Sequence, residues 1–397
     1  MNSSNILKMI GRTNGLFNSD LAKHESEIVD FVSRSKFLVI GGAGSIGGAV
    51  VEEIFKRSPK CLHVVDISEN NLAETVRNLR SSLGYIDGDF RTFALDAMSP
   101  EFEAFGQLNN DYDYVLNFSA LKHVRSEKDP FTLMRMIRTN IFLTKKSLEF
   151  AAECGAKKYF CVSTDKASNP VNMMGCSKRI MELFLLKYGK VPVSSARFAN
   201  VAFSDGSLLH SFRQRMTKGQ PLAAPRDVKR YFVTAQEGAM LCLFSIFFGE
   251  NRDIFFPKLT ADLHLETFDK IAVRFLESCG YEAHVCKDED EARASVEELS
   301  RNKKWPCCFF TSDTTGEKDF EEFFTDNETV DWERFQDIGI VKNDYAFDDQ
   351  LIESFESYIE SCLQGRAWNK ADMVEEFIKL VPNFEHEEKN KNLDNKM

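Results

Sequence analysis

From Lys36 onward, short apolar runs alternate with stretches whose apolar residues recur at helical spacing. KFLVI (36–40) is a continuous apolar run, the pattern of a parallel strand covered on both faces. A glycine-rich turn follows, then AVVEEIFKRS (49–58) with its apolar positions on one helical face, then a second run, LHVVD (62–66). Together they predict a βαβ unit. Further strands are predicted at RTFALD (91–96), YVLNFSA (114–120), KYFCVST (158–164) and VSSARFA (193–199), most of them separated by helical stretches. The alternation predicts an α/β protein built on a Rossmann-type doubly wound parallel sheet.

The flanks read differently. Residues 1–35 predict one or two amphipathic helices, with Ser19 or Asp20 as an N-cap for NSDLAKHESEIVDFV (18–32). Packing on the fold and contact between copies both remain open for them. The Rossmann unit is expected over 36–200. A smaller C-terminal α/β region, 201–365, carries helices at SLLHSFRQRMTKG and QEGAMLCLFSIFFG, and a single, highly charged, solvated helix at 287–304. Residues 366–397 predict a helix and a tail, NFEHEEKNKNLDNKM, that lacks a core-forming pattern and is expected to be disordered.

Composition narrows the function classes. At 397 residues, 43% hydrophobic and 28% charged, the chain is a soluble globular type with room for a large core. A net charge of −11 argues against a general nucleic-acid surface but leaves room for a local basic pocket that takes a phosphorylated small molecule. No apolar run approaches the ~20 residues of a membrane span. The ten cysteines are scattered except for Cys307 and Cys308, and none form C-x-x-C, so no metal site is expected. With no signal-peptide pattern, reduced thiols and a cytoplasmic location are expected. The 35 phenylalanines are spread along the chain, as core residues would be.

The chemistry begins at GGAGSIGG (41–48), between a predicted strand and a predicted helix. Gly41, Gly44 and Gly47, with Ser45 and Ile46 between them, form G-x-x-G-x-x-G. Such glycines let the backbone approach a pyrophosphate, and the helix start directs N–H groups at it. Asp66 ends the next strand, where a carboxylate accepts hydrogen bonds from adenosine ribose hydroxyls and repels a 2′-phosphate. The following ISENN holds no arginine for such a phosphate, so NAD is favoured over NADP. Asp96 is placed either to contact adenine or to make a surface turn.

In GGAGSIG, NFSALKHV (117–124), STDKASNPVNMMGCSK (163–178), RFANVAFSDGSL (197–208), KRYFVTAQEGAML (229–241) and TTGEKDFEE (314–322), the chain resembles the extended short-chain dehydrogenase/reductase superfamily. More narrowly it is similar to bacterial nucleotide-sugar 4,6-dehydratases of polysaccharide and glycan biosynthesis, typified by UDP-N-acetylglucosamine 4,6-dehydratase. Two departures stand out. Met174 takes the place of the superfamily tyrosine, as in one branch of these dehydratases, often with membrane-anchored members, and TTGEK lacks the arginine-proline pair that related enzymes tend to carry before GEK. The second departure leaves UDP and GDP sugars both open.

A 4,6-dehydration needs a hydride acceptor, a base for the carbon 5 proton and an acid for the departing carbon 6 hydroxyl. Adjacent Asp165 and Lys166, just past a central strand, supply acid and base, since burial raises a carboxyl pKa and lowers an ammonium pKa. The resemblance implies the same roles. Met174 cannot take the carbon 4 hydroxyl proton, which falls to Asp165, through Thr164 or a water. Lys178, one helical turn beyond Met174, is implied to bond the nicotinamide ribose. The resemblance also places Ala97 and Ala120 beside the cofactor. It places Lys122, His123, Asn200 and Ser207 beside the nucleotide sugar in the C-terminal substrate-binding region, and Arg230 at its pyrophosphate. A homo-oligomer is expected. The readings in competition are a dehydratase on UDP- or GDP-N-acetylglucosamine, a nucleotide-sugar 4-epimerase, and an NAD-binding scaffold without activity.

Overall fold

The computed structural model describes residues 3–259, 265–312, 322–344 and 346–386. Six strands open the chain: β1 (Lys36–Ile40), β2 (Cys61–Asp66), β3 (Asp89–Ala94), β4 (Tyr114–Asn117), β5 (Lys158–Val162) and β6 (Val193–Ala196). They belong to a nine-stranded sheet in the order β3-β2-β1-β4-β5-β6, followed by Asp253–Pro257, Ile338–Lys342 and Thr329–Asp331. Pairing is parallel through Asp253–Pro257, and the last two strands join antiparallel. This is the doubly wound α/β fold expected. The strand order reverses between β1 and β4, which opens a crevice at their carboxyl ends where such sheets bind ligands.

The sheet does not end where the expected boundary lies. Near residue 200 the chain first leaves it, for a three-stranded sheet of Asn200–Val201, Lys229–Val233 and Leu265–Thr267, and then returns to add three strands. A second small sheet joins Leu222–Pro225, Lys304–Phe310 and Glu282–Val285.

Four apolar runs end earlier than their sequence suggests, among them β6, which stops at Ala196. Asn117 closes β4 by accepting the Ser119 N–H (3.0 Å). β3 ends at Ala94, before Leu95 and Asp96. β5 ends at Val162, and Thr164 caps the 3₁₀ turn Asp165–Ala167. Residues 287–304 are not one helix. Glu289–Ala294 and Val296–Arg301 are separate, Ser295 bonds back to the Glu291 carbonyl (2.8 Å), and Lys304 already starts a strand. Nor is the segment wholly solvated, since Ala292 is buried with Cys286 and Cys308.

The N-terminal helices pack on the fold. Met9 and Ile10 join the core beneath helix Phe268–Ser278, and Ile28 and Val32 of helix Asn18–Ser33 join the core beneath helix Ala235–Phe248. Neither Ser19 nor Asp20 is the N-cap, because that helix begins after Phe17. The Asp20 carboxylate instead accepts the N–H groups of Gln336 and Asp337, both at 2.8 Å. At the other end, helices Asp349–Gly365 and Lys370–Leu380 bury Phe355, Ile359 and Phe377 with Ile180 and Phe184 of helix Met173–Tyr188. Most of TTGEKDFEE, including Glu317 and Lys318, and the tail beyond residue 386 lie outside the described residues.

Candidate active site

The carboxyl ends of β1, β4 and β5 open into a cavity of about 440 Å³. One wall is the glycine turn. Gly41 sits at φ 74°, and a Cβ on Gly47 would lie 2.2 Å from the Gly41 carbonyl oxygen, so this close approach excludes a side chain. The helix that follows begins at Ser45, and its first turn (Ser45, Ile46, Gly47) lines the cavity.

Across the turn lies an adjoining cavity of about 440 Å³ that contains Asp66, Asp96, Ala97 and Ala120. The Asp66 carboxylate is fixed there by the Ala43 and Ser68 N–H groups (3.0 and 2.9 Å). Asp96 is exposed at the edge and accepts the Met98 N–H (2.9 Å), so the surface-turn geometry and a place on the cavity wall coexist.

Thr164, Asp165, Lys166, Met174 and Lys178 all line the first cavity. Asp165 has a side-chain exposure of 1%, and its Oδ1 accepts from Thr164 Oγ1 (2.9 Å) and Lys166 Nζ (3.1 Å). Lys166 is more open, at 21%. Helix Met173–Tyr188 comes close because residue 175 is glycine, where a Cβ would stand 2.5 Å from the Lys166 carbonyl oxygen. Asn172 caps this helix, and Glu127 accepts the Met173 N–H at 2.6 Å. Lys178 is buried, with its ammonium donating to the Val162 carbonyl (3.0 Å). Burial lowers its pKa, with Cys161 and Glu182 opposing.

Lys122, His123, Asn200 and Ser207 line the opposite side. Burial lowers the Lys122 pKa, offset in part by Asp205, while Lys122 Nζ donates to Ser204 Oγ (3.4 Å). Burial lowers the His123 pKa as well, helped by the charges of Lys122 and Arg125, which favours its neutral ring. Ser207 caps helix Leu208–Thr217. Arg230 is the exception: it lines neither cavity, and its guanidinium is buried on strand Lys229–Val233, donating to the Lys229 carbonyl (2.8 Å).

Other residues of this region gave no sequence signal. Asp205 donates its N–H to Ser45 Oγ (2.9 Å), which ties the loop after Val201 to the glycine turn. Beneath the site, fully buried Arg197 bonds Glu182 (3.0 and 2.8 Å), Glu328 and the Phe323 carbonyl, and Glu182 also accepts from Ser163 Oγ (2.7 Å). Burial alone would raise the Glu182 pKa, but Arg197, Arg179 and Ser163 outweigh it and hold it at about 2. Phe232 and Phe268, packed edge to face, add an aromatic wall. Only an alternating pattern marks such positions in a sequence, and that pattern describes ordinary core equally well.

One group among the described residues has metal-ligand spacing, Cys61, His63 and Asp89, at the opposite end of β2 and β3. Its His63 ring already bonds the Tyr112 hydroxyl (2.7 Å) and Asp89 (3.1 Å). Burial pushes the Cys61 thiol up to about 11, away from the thiolate a metal takes.

Comparison with known proteins agrees with this architecture. The chain is 29% identical over 324 residues to a Methanocaldococcus jannaschii protein described as an uncharacterized membrane protein, covering 79% of this chain and 88% of that one. Among the described residues, no helix is long and apolar enough to cross a membrane. It is 27% identical to a probable polysaccharide biosynthesis protein of Bacillus subtilis, covering 88% of this chain but 56% of that one. It is 26% identical to an inverting UDP-N-acetylglucosamine 4,6-dehydratase of Campylobacter jejuni, covering 56% of this chain and 66% of the enzyme. Similar solved folds include Pen from Bacillus thuringiensis (TM-score 0.63, 20% identity, 79% of this chain and 89% of that one). A dTDP-glucose 4,6-dehydratase from Streptomyces venezuelae, solved with NAD, has TM-score 0.52 at 17% identity, over 70% of this chain and 88% of that one. A family profile described as polysaccharide biosynthesis protein matches residues 37–343, most of the chain, and the protein therefore belongs to that family.

Proposed function

We propose that this chain is an NAD-dependent nucleotide-sugar 4,6-dehydratase acting on UDP-N-acetylglucosamine, in the biosynthesis of a bacterial glycan or nonulosonic acid. One observation carries the reading. Among the described residues, no tyrosine lines the cavity that holds the glycine turn, Lys178 and the Asp165–Lys166 pair, which supports assigning the proton chemistry to the pair. A 4-epimerase of this fold works through a tyrosine at the position of Met174, whose thioether carries no exchangeable proton.

The residues fit a dinucleotide. The cradle between Gly41 and Gly47 admits backbone only, and Asp66 is fixed where adenosine ribose hydroxyls would lie. NAD, when bound, supplies the hydride acceptor at carbon 4 and the hydride donor at carbon 6. Lys178, whose ammonium donates to the Val162 carbonyl, would then hold the nicotinamide ribose.

The pair performs the rest. The pair enters the reaction as the Asp165 carboxylate and the Lys166 free amine, 3.1 Å apart. The amine takes the carbon 5 proton, made acidic by the carbon 4 ketone, and the acid protonates the leaving carbon 6 hydroxyl. That acid is formed beforehand, when Thr164, which donates to the same oxygen, relays the carbon 4 hydroxyl proton to the Asp165 carboxylate, and the Lys166 ammonium later returns its proton to carbon 5.

Incubation of the purified protein with UDP- and GDP-N-acetylglucosamine, followed by mass spectrometry, tests this. Loss of one water from the UDP sugar is expected, and from the GDP sugar alone would reassign the base. An isomer of unchanged mass would make the protein an epimerase, the activity named for a Rickettsia prowazekii relative at 26% identity. Bound NAD without turnover of either sugar would leave a binding module.

A further inference from the structure

The cavity beside Asp66 has a basic wall whose role the proton chemistry does not explain. Arg135 and Arg138 line it, together with Gly41 and Gly44 of the turn. They lie three residues apart, hence on one helical face. Several buried or half-buried arginines elsewhere have carboxylate partners: Arg12 with Glu237, Arg57 with Glu25 and Glu53, Arg179 and Arg197 with Glu182, Arg334 with Asp253. Neither the Arg135 nor the Arg138 guanidinium pairs with Asp66 or Asp96, the two carboxylates of the same cavity. Asp66 is taken up by the Ala43 and Ser68 N–H groups, and Asp96 by that of Met98.

The backbone here is also unusual. Helix Pro130–Ile137 passes into a π-helical turn, Arg138–Phe142, a rare feature that is frequent at functional sites. Within that turn Asn140 bonds both the N–H and the carbonyl of Leu121 (2.9 and 3.1 Å) and the Ser177 hydroxyl (2.9 Å). The loop after β4 and helix Met173–Tyr188 are thereby clamped to this turn, and Arg138 and Thr139 stand on the cavity wall beside it.

We infer that Arg135 and Arg138 bind the cofactor, gripping its diphosphate from the wall that faces the glycine turn. In a chain of net charge −11, two open guanidinium groups on one cavity wall are matched by an anion that arrives with the ligand. The diphosphate of a dinucleotide is that anion, and arginine forks suit its oxygens. The inference rests on the reading that the chain binds NAD.

The test is calorimetric titration of NAD, NADP, ADP and adenosine into the full chain and into the double variant Arg135→Gln/Arg138→Gln. NAD and ADP should weaken together by about tenfold or more, with a shallower dependence on salt, while adenosine binds unchanged. The Arg135→Lys/Arg138→Lys variant keeps both charges and should recover part of the loss. Unchanged NAD and ADP affinity would overturn the inference, as would an equal loss for adenosine, which reports pocket shape. A larger loss for NADP than for NAD would place the pair at a 2′-phosphate and overturn the diphosphate assignment. If the unaltered chain fails to take up NAD, the cofactor reading itself fails, an outcome distinct from all of these.

Discussion

Two ion pairs lie at the carboxyl end of β5, and they are built in opposite ways. Asp165 and Lys166 share one contact at 3.1 Å, and the lysine keeps an open side toward the cavity. Arg197 and Glu182 meet through two bonds, at 3.0 and 2.8 Å, with no exposed side-chain surface, and Glu328 completes the arginine fork. The first pair can pass a proton and reform. The second is too strongly matched to do so, and it fixes the platform on which the first works. Glu182 lies on the helix that carries Met174 and Lys178, and it accepts from Ser163, the residue before Thr164. Charge chemistry is common to both pairs; the number of contacts and the access to the cavity separate them.

The sharpest way to break this contrast is to remove one member from each pair. Lys166→Met should lower turnover by about 10²–10⁴-fold, the usual loss for a general base, and leave nucleotide-sugar affinity almost unchanged. Asp165→Asn, which keeps the shape but cannot exchange a carboxyl proton, should be similarly impaired. Near-normal turnover in either would remove the pair from the mechanism.

Arg197→Met should do the reverse. It leaves Glu182 and Glu328 buried without their main partner, which costs about 3–5 kcal/mol for a broken buried pair. Denaturant unfolding would show it as a lowered midpoint. A variant as stable as the parent would mean that the cluster does not hold this platform together.

pH sharpens the same comparison with a smaller effect. The Glu182 carboxyl falls from its ordinary 4.5 to about 2 in the fold, chiefly because Arg197 outweighs the cost of burial. A depressed carboxyl stabilises the fold above its unfolded pKa, and that stability is lost as pH falls through the folded value. The window is therefore about pH 4.5 down to about 2, and the contribution lost is on the order of 3 kcal/mol. Unfolding measured across that window should be steeper in the parent than in a Glu182→Gln variant. Equal slopes would show that Glu182 does not titrate as the buried cluster requires.

The legible parts of this protein are those whose physics is local. Continuous apolar runs announced β1, β2 and β5, because a strand covered on both faces needs nothing else. The glycine turn announced itself through Gly41 and Gly47, where the backbone leaves no room for a side chain. Asp165 and Lys166 were visible because two adjacent charges at a strand end have few structural uses. What stayed hidden depends on partners far along the chain. Arg197 meets Glu328 across more than a hundred residues, Asp20 caps nothing on its own helix but serves Gln336 and Asp337, and Asp205 reaches Ser45. Arg230, expected at a pyrophosphate, is buried on its strand and donates to the Lys229 carbonyl. The charged segment at 287–304 read as one helix because its break depends on a single serine bonding backward.

The smallest effect belongs to Met174, and it is the most informative about how the site divides its labour. Its side chain is buried among Met173, Cys176, Ile180 and their neighbours, yet it also reaches the cavity wall. Met174→Tyr restores a phenol one helical turn before Lys178, where a tyrosine-dependent site would use it. If the Asp165–Lys166 pair already moves every proton, the phenol has nothing to add. A rigid ring must also fit where a flexible thioether lay, and overpacking of this kind costs about 1–3 kcal/mol of stability. The expected outcome is water loss from the nucleotide sugar within about tenfold of the parent rate, slightly reduced, with a lowered unfolding midpoint. The decisive comparison adds Met174→Tyr to Asp165→Asn. If the tyrosine rescues the asparagine variant to near the parent rate, the proton work of this cavity can be carried from position 174, and the soft ion pair is a substitute for the phenol. If it does not, the pair is tied to the carbon 5 and carbon 6 chemistry, which no group at position 174 reaches.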